Sequence, residues 1–254
     1  LLMNSPGWGG FAWIGRLLLR GAVLLLDELT ATWALTLGLC ATPWVLYRAR
    51  RDARRWRGPA RPVVLAHGYM YSAGTMGPLV RALERAGFGP AVPVDYSSFR
   101  NPERAVSKIV DAVRALAETC GGVPVAVLGH SLGGLIVRLA REQCPQIGPV
   151  VTLAGPHKGT WAAALAIGPM RGLLFRGLDL PTRRDDLAIG GGMDLVVDVE
   201  HAVLAPPARN LRIDTSGHST MLLDPRIVGA VVEHLGSCAW AADDPAALVV
   251  QRGP

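Results

Sequence analysis

Residues 123–134 read VPVAVLGHSLGG, a valine-rich apolar run that passes without a spacer into Gly129-His130-Ser131-Leu132-Gly133-Gly134. The run has the length and branching of a strand buried on both faces, and the residues from Leu132 to Glu142 carry helical spacing. A serine on so tight a strand-to-helix turn must adopt a strained backbone. Small neighbours, Gly129 and Gly133, are what let strand and helix approach that closely. The turn holds the Ser131 hydroxyl above a sheet edge, at the positive end of a helix. A G-x-S-x-G match alone is weak in a chain with 30 glycines. Its position between a strand and a helix gives it weight.

Outward from this turn, strands and helices alternate. Upstream lie a short strand at 61–66 (RPVVLA) ending at His67-Gly68, a helix at 76–86, a strand at 91–94, and a helix opened by Asn101-Pro102 and stopped by Gly121-Gly122. Downstream lie strands at 150–153, 186–189 and 211–214 and a helix at 225–235. Short apolar strands alternating with amphipathic helices specify an α/β fold, with a parallel sheet covered on both faces.

The chain of 254 residues is 50% hydrophobic and 18% charged, which excludes a disordered tail or a collagen-like fibre. Its net charge of +6 is concentrated: residues 48–57 hold six arginines against Asp52, leaving +1 for everything else. That excludes a nucleic-acid-binding face spread over the fold. Cys40, Cys120, Cys144 and Cys238 lack zinc-ligand spacing, so no metal is expected; they read as buried free thiols or, for Cys120 and Cys144, a bridge.

Residues 1–58 differ in texture. Residues 11–26 (FAWIGRLLLRGAVLLL) place Arg16 and Arg20 on one helical face, Asp27 and Glu28 interrupt, and residues 29–47 then run without a charge. That second stretch is long enough to cross a hydrocarbon layer of about 30 Å. Trp33 and Trp44 stand near its ends, and the arginine cluster follows. Residues 11–47 therefore read as a membrane-associating segment, spanning or lying in the interface. The other reading is a helix packed against the protein itself, which the threonines and Pro43 favour. A cleaved signal peptide does not fit, because charges and apolar run stand in the wrong order.

Three motifs in order carry a resemblance: the strand ending in His67-Gly68-Tyr69, the GHSLGG turn, and Leu153-Ala154-Gly155-Pro156-His157-Lys158-Gly159-Thr160. Together they resemble the α/β-hydrolase superfamily, specifically its compact bacterial lipases and esterases, over residues 60–235. The resemblance implies an α/β-hydrolase fold with a mostly parallel central sheet, plus an N-terminal apolar helical segment. It implies a carboxylic-ester hydrolase with a Ser–acid–His triad and no cofactor. The N-terminal portion is similar in character to membrane-anchored members of that group, so a bacterial inner-membrane location is expected. The arginine bias puts the catalytic face in the cytoplasm. The chain divides into a segment at 1–58, a catalytic domain at 59–237 and a tail at 238–254.

In that fold the chain order is nucleophile, acid, histidine, so His67 and His130 precede Ser131 and are not the base. His157 comes before any acid loop. His201 and His234 sit in helical patterns, whereas His218 follows a strand in Thr215-Ser216-Gly217-His218-Ser219 and is the expected base. Of the candidates Asp194, Asp198 and Glu200, the expected acid is Asp194, after the flexible Gly190-Gly191-Gly192-Met193, with Asp198 as the alternative. Where the compact lipases often have a proline after the acid and its apolar pair, this chain has Val197. The oxyanion donors are expected from the main chain of Leu132 and Tyr69, with His67, Gly68, Gly129, His130 and Gly133 in support.

Residues 161–185 are rich in leucine and hold Ile167, Met170 and Phe175 between the third motif and the acid strand. They form a lid or acyl-binding wall, or else an ordinary covering helix. With the apolar N-terminus, this favours a lipidic ester met at a membrane surface. An acyltransferase or thioesterase would use the same triad, and an idle hydrolase-like binding module is a further alternative. Nucleic acid is not an expected partner; the oligomeric state is not legible.

Overall fold

A computed structural model describes residues 8–56 and 60–240. The chain order is α1 (Trp8–Arg55), β1 (Val63–Ala66), α2 (Gly77–Arg85), β2 (Ala91–Val94), α3 (Pro102–Thr119), β3 (Val125–His130), α4 (Leu132–Arg141), β4 (Ile147–Leu153), α5 (Arg171–Arg176), β5 (Leu187–Gly191), β6 (Arg209–Ile213) and α6 (Pro225–Ser237). The six strands form one parallel sheet in the order β2-β1-β3-β4-β5-β6. Its two faces follow the two-residue period of the strands. Val64, Ala66, Val125 and Val127 pack with α3 and α4, while Val63, Leu65, Ala126 and Leu128 pack with α2 and α6.

Every strand expected from the sequence is present, with ends moved by pairing. The strand expected at 61–66 begins at Val63, because Arg61 makes only an isolated antiparallel bridge to Gly89. That expected at 186–189 begins at Leu187, since Asp186 turns its carboxylate to Arg141. The helix expected at 76–86 is a 3-10 turn, Ala73–Met76, followed by α2. All four cysteines are free thiols, so the Cys120–Cys144 bridge is not formed.

The N-terminal segment requires a correction. Among the described residues no helix is long and apolar enough to cross a membrane. Residues 29–47 lie within α1, and the part of α1 from Gly38 onward packs against the turn Ala73–Met76 and β2. The contact uses small residues. The Thr42 hydroxyl donates to the Gly38 carbonyl at 2.7 Å and accepts the Gly74 N–H at 3.1 Å. A Cβ on Gly74 would stand 2.1 Å from the Gly38 oxygen. The uncharged stretch thus serves one face that meets protein, while Leu37, Leu39, Trp44 and Tyr47 remain exposed on its outer side. The arginine cluster pairs partly within itself, Arg48 and Arg51 both reaching Asp52.

Gly74→Ala is expected to push α1 from its seat and lower stability by about 1–3 kcal/mol in thermal melts, as overpacking does. Gly229→Ala in α6, where an added Cβ meets nothing within 4 Å, is expected to raise it by about 0.5–1 kcal/mol.

Candidate active site

Ser131 is the single residue between β3 and α4, with φ 53° and ψ −123°. A non-glycine residue in this region is strained and persists only where its surroundings hold it. They do so here by close approach. A Cβ on Gly129 would lie 2.3 Å from the Gly133 oxygen, and one on Gly133 would lie 2.4 Å from the Ala66 oxygen. The Ser131 N–H donates to the Leu153 carbonyl at 2.8 Å, tying the turn to β4. Gly68, at the end of neighbouring β1, leaves room beside Ser131, where a Cβ would come within 3.2 Å of the serine Cβ.

The strands beyond β4 bring two further side chains to this edge. Asp194 follows β5 and His218 follows β6; their turns are stitched together by Gly192 N–H to Ile213 carbonyl at 2.9 Å and Met193 N–H to Ser216 carbonyl at 3.1 Å. The His218 Nδ1–H donates to Asp194 Oδ2 at 2.8 Å. The other carboxylate oxygen accepts the N–H groups of Val196 and Val197, each at 2.8 Å. The Asp194 side chain is 0% exposed. A proton fixed on Nδ1 leaves Nε2 as the basic nitrogen.

His130, immediately before Ser131, lies between Tyr71 and His218, with ring centroids 5.7 Å and 4.9 Å away. Its Nε2–H donates to the His218 carbonyl at 3.0 Å, and its Nδ1 has no partner among the described residues. Burial first, then the neighbouring His218, pushes its pKa down to about 3. Tyr71 and Ser219 share a 2.6 Å hydrogen bond that holds the residue after His218.

The loop after β1 supplies the remaining groups. The Tyr69 phenol donates to the Ile167 carbonyl at 2.8 Å and accepts the Ile167 N–H at 2.9 Å. The main-chain N–H groups of Tyr69 and Leu132 have no acceptor among the described residues. His67 is buried and donates through Nδ1 to the Gly68 carbonyl at 2.9 Å.

Other sequence candidates lie elsewhere. Asp198 caps a 3-10 turn through the Glu200 N–H, His201 donates to the Gly159 carbonyl, and His234 donates to the Asp185 carbonyl. His157 accepts from Arg138 at Nδ1 and donates from Nε2 to Thr152, with burial and then Arg138 pushing its pKa down to about 3.

Within residues 161–185 the structure divides the two readings. Ala163, Ala166, Met170 and Leu174 face the core, while Trp161, Leu165, Ile167 and Phe175 are exposed. Sequence reasoning missed what fastens this wall. Two buried arginines of α4 reach it from beneath, Arg138 to the Leu180 carbonyl at 2.6 Å and Arg141 to the Pro181 carbonyl and Asp186. Trp161 Nε1–H donates to the Leu195 carbonyl at 2.7 Å and Thr160 Oγ1 to the Val196 carbonyl, so the wall also braces the loop that holds Asp194. An arginine on a helix gives no sequence signal of such a partner.

The fold and this edge define an α/β-hydrolase. The chain belongs to the alpha/beta hydrolase family, whose sequence model matches residues 63–253. It is 28% identical over 113 residues to the lysosomal thioesterase PPT2 homolog of Drosophila melanogaster, a match covering 41% of this chain and 38% of that relative's length. Bacillus licheniformis lipase BlEst2 is similar in structure, with a TM-score of 0.55 at 15% identity over 68% of this chain and 92% of that one. The monoacylglycerol lipase of Paleococcus ferrophilus has a TM-score of 0.53 at 21% identity, over 71% and 96%.

The two depressed histidines set an acid limit. His130 and His157 sit at about 3 when folded, well below the ordinary imidazole value of about 6.5. Between those values the unfolded chain binds more protons, so stability rises with pH. It is fully present above about pH 6.5 and lost as pH falls toward 3. Melting temperatures should decline from pH 7 to pH 5, and less steeply in His157→Asn. A melting temperature that does not change over that range would contradict this.

Proposed function

We propose that this chain is a serine hydrolase that cleaves carboxylic esters of acyl lipids through an acyl-enzyme on Ser131. The observation that carries the reading is the buried His218–Asp194 pair, which leaves a basic Nε2 on the edge where Ser131 sits on its strained turn. In this mechanism His218 Nε2 takes the Ser131 proton as Oγ attacks the ester carbonyl, and Asp194 stabilises the imidazolium that forms. The oxyanion is met by the unengaged N–H groups of Leu132 and Tyr69. His218 then gives the proton to the departing alkoxide. Water, deprotonated by the same nitrogen, releases the carboxylic acid and restores the serine.

The substrate class rests on the rim. Met70, Phe99, Trp161, Leu165, Ile167 and Leu195 are each at least half exposed, and all lie in the connections that leave the carboxyl ends of strands. Apolar side chains so placed suit an acyl chain. The same reading places the enzyme at a lipid surface. Leu18, Leu25, Leu26 and Leu29 of α1 are exposed, and Leu26 shares a cavity with Thr220 and Leu223, just beyond His218. The partial match to a thioesterase supports a second reading in which the same groups act on a thioester.

Ser131→Ala is expected to lower kcat on p-nitrophenyl esters by about 10⁴-fold or more. A chain-length series with and without detergent micelles should show preference for long chains presented in micelles. Ser131→Ala matching the parent would refute the hydrolase; preference for short soluble esters would refute the lipid substrate. Faster turnover of a matched thioester would select the second reading.

A further inference from the structure

The loop after β1 is pinned on both sides of Tyr69 by groups that the catalytic reading does not use. The Gly68 carbonyl and the Tyr69 N–H belong to one planar trans peptide and point in opposite directions, so whatever holds the carbonyl also aims the amide. That carbonyl accepts the His67 Nδ1–H at 2.9 Å and the Tyr71 N–H at 3.2 Å. The His67 tautomer is set from β2's end of the sheet, since Nε2 accepts the Tyr96 N–H at 3.3 Å. The next peptide is held differently: the Met70 N–H donates to the Ser98 hydroxyl at 2.8 Å.

Met70 has φ 59°, a left-handed backbone that non-glycine residues avoid. Met70 is 52% exposed, so packing of its side chain contributes little to holding it there. Ser98 is 3% exposed, in contrast to Ser97, whose hydroxyl only accepts the N–H of Phe99 in a local turn. We propose that Ser98 is a positioning residue for the oxyanion hole, holding Met70 in its left-handed conformation and so fixing the peptide that follows the Tyr69 donor. The assignment rests on the ester-hydrolase reading of the same site. Without the Ser98 acceptor, Met70 relaxes toward an ordinary backbone and draws the Tyr71 N–H away from the Gly68 carbonyl, so that carbonyl keeps only its His67 pin and the Tyr69 amide on the same peptide loses its fixed direction.

The test compares the parent with Ser98→Ala in three readouts: steady-state kinetics on a p-nitrophenyl ester, the inhibition constant of an alkyl boronic acid, and the melting temperature. A boronate bound to Ser131 is tetrahedral and places an oxygen where the oxyanion forms, so it reports the hole without turnover. Complete loss of one oxyanion donor costs about 10²–10³-fold; a misaimed donor should cost less. Ser98→Ala is expected to lower kcat about tenfold and weaken the boronate by a similar factor, with KM within about twofold, since the ground-state carbonyl makes little use of the hole. Adding Met70→Gly should recover part of both losses, because glycine adopts the left-handed backbone without help. Unchanged kcat and boronate affinity in an active parent overturn the role of Ser98 alone. So does a fall in kcat with a lowered melting temperature and intact boronate affinity. A parent that neither hydrolyses esters nor binds the boronate overturns the hydrolase reading and this assignment with it.

Discussion

A carboxylate withdrawn entirely from water must be met by hydrogen-bond donors, and Asp194 finds three: the amides of Val196 and Val197 and the His218 Nδ1–H. That requirement organises the carboxyl edge of the sheet. It brings the loops after β5 and β6 together, and it decides which nitrogen of His218 carries the proton. It also draws in residues distant in sequence, because Trp161 and Thr160 hold the Leu195 and Val196 carbonyls, which lie on the same peptides as the Val196 and Val197 amides that cap Asp194. Residues 160–161 and the loop that holds Asp194 are therefore one mechanical unit. A shift of residues 160–161 would disturb the carboxylate without touching it.

The sheet order explains why Ser131 and the loop after β1 meet. From β1 the chain goes outward to β2, then returns to place β3 on the opposite side, so the crevice between the ends of β1 and β3 is the point where the winding reverses. Gly68 and Ser131 face each other there. Three non-glycine residues with left-handed backbones, Met70, Ser131 and Ala154, follow β1, β3 and β4 in turn. Strain of this kind persists only where the surroundings over-determine it. The α4 helix provides that constraint: it is buried along nearly its whole length, with Arg141 ion-paired to Asp186 at its far end.

Legibility in the sequence followed distance along the chain. The strand–serine–helix turn, the strands beside it, and the placement of Asp194 and His218 after strands could be read because each depends on a handful of neighbouring residues. The clash distances at Gly129 and Gly133 are the physical content of the G-x-S-x-G spacing. What could not be read depends on partners far away. The apolar stretch before the arginines resembles a membrane span because burial against protein and burial in lipid select the same residues. Its seat on the turn Ala73–Met76 hinges on Gly38 and Gly74, 36 positions apart. Ser98, in the run Tyr96-Ser97-Ser98-Phe99, carries no mark that separates it from any loop serine; only the fold brings its hydroxyl to Met70. Nothing local in the sequence marks Arg138 and Arg141 as the buried arginines they are.

In the proposed mechanism Ser131 is made nucleophilic by His218 held on Asp194. The most direct measurement is the rate at which an alkyl fluorophosphonate forms a covalent adduct, with the modified residue located by mass spectrometry of peptides. A single adduct on Ser131 is expected, formed orders of magnitude more slowly in folded His218→Ala and Asp194→Ala variants. An adduct on another residue, or labelling of Ser131 at the parental rate in either variant, would contradict it.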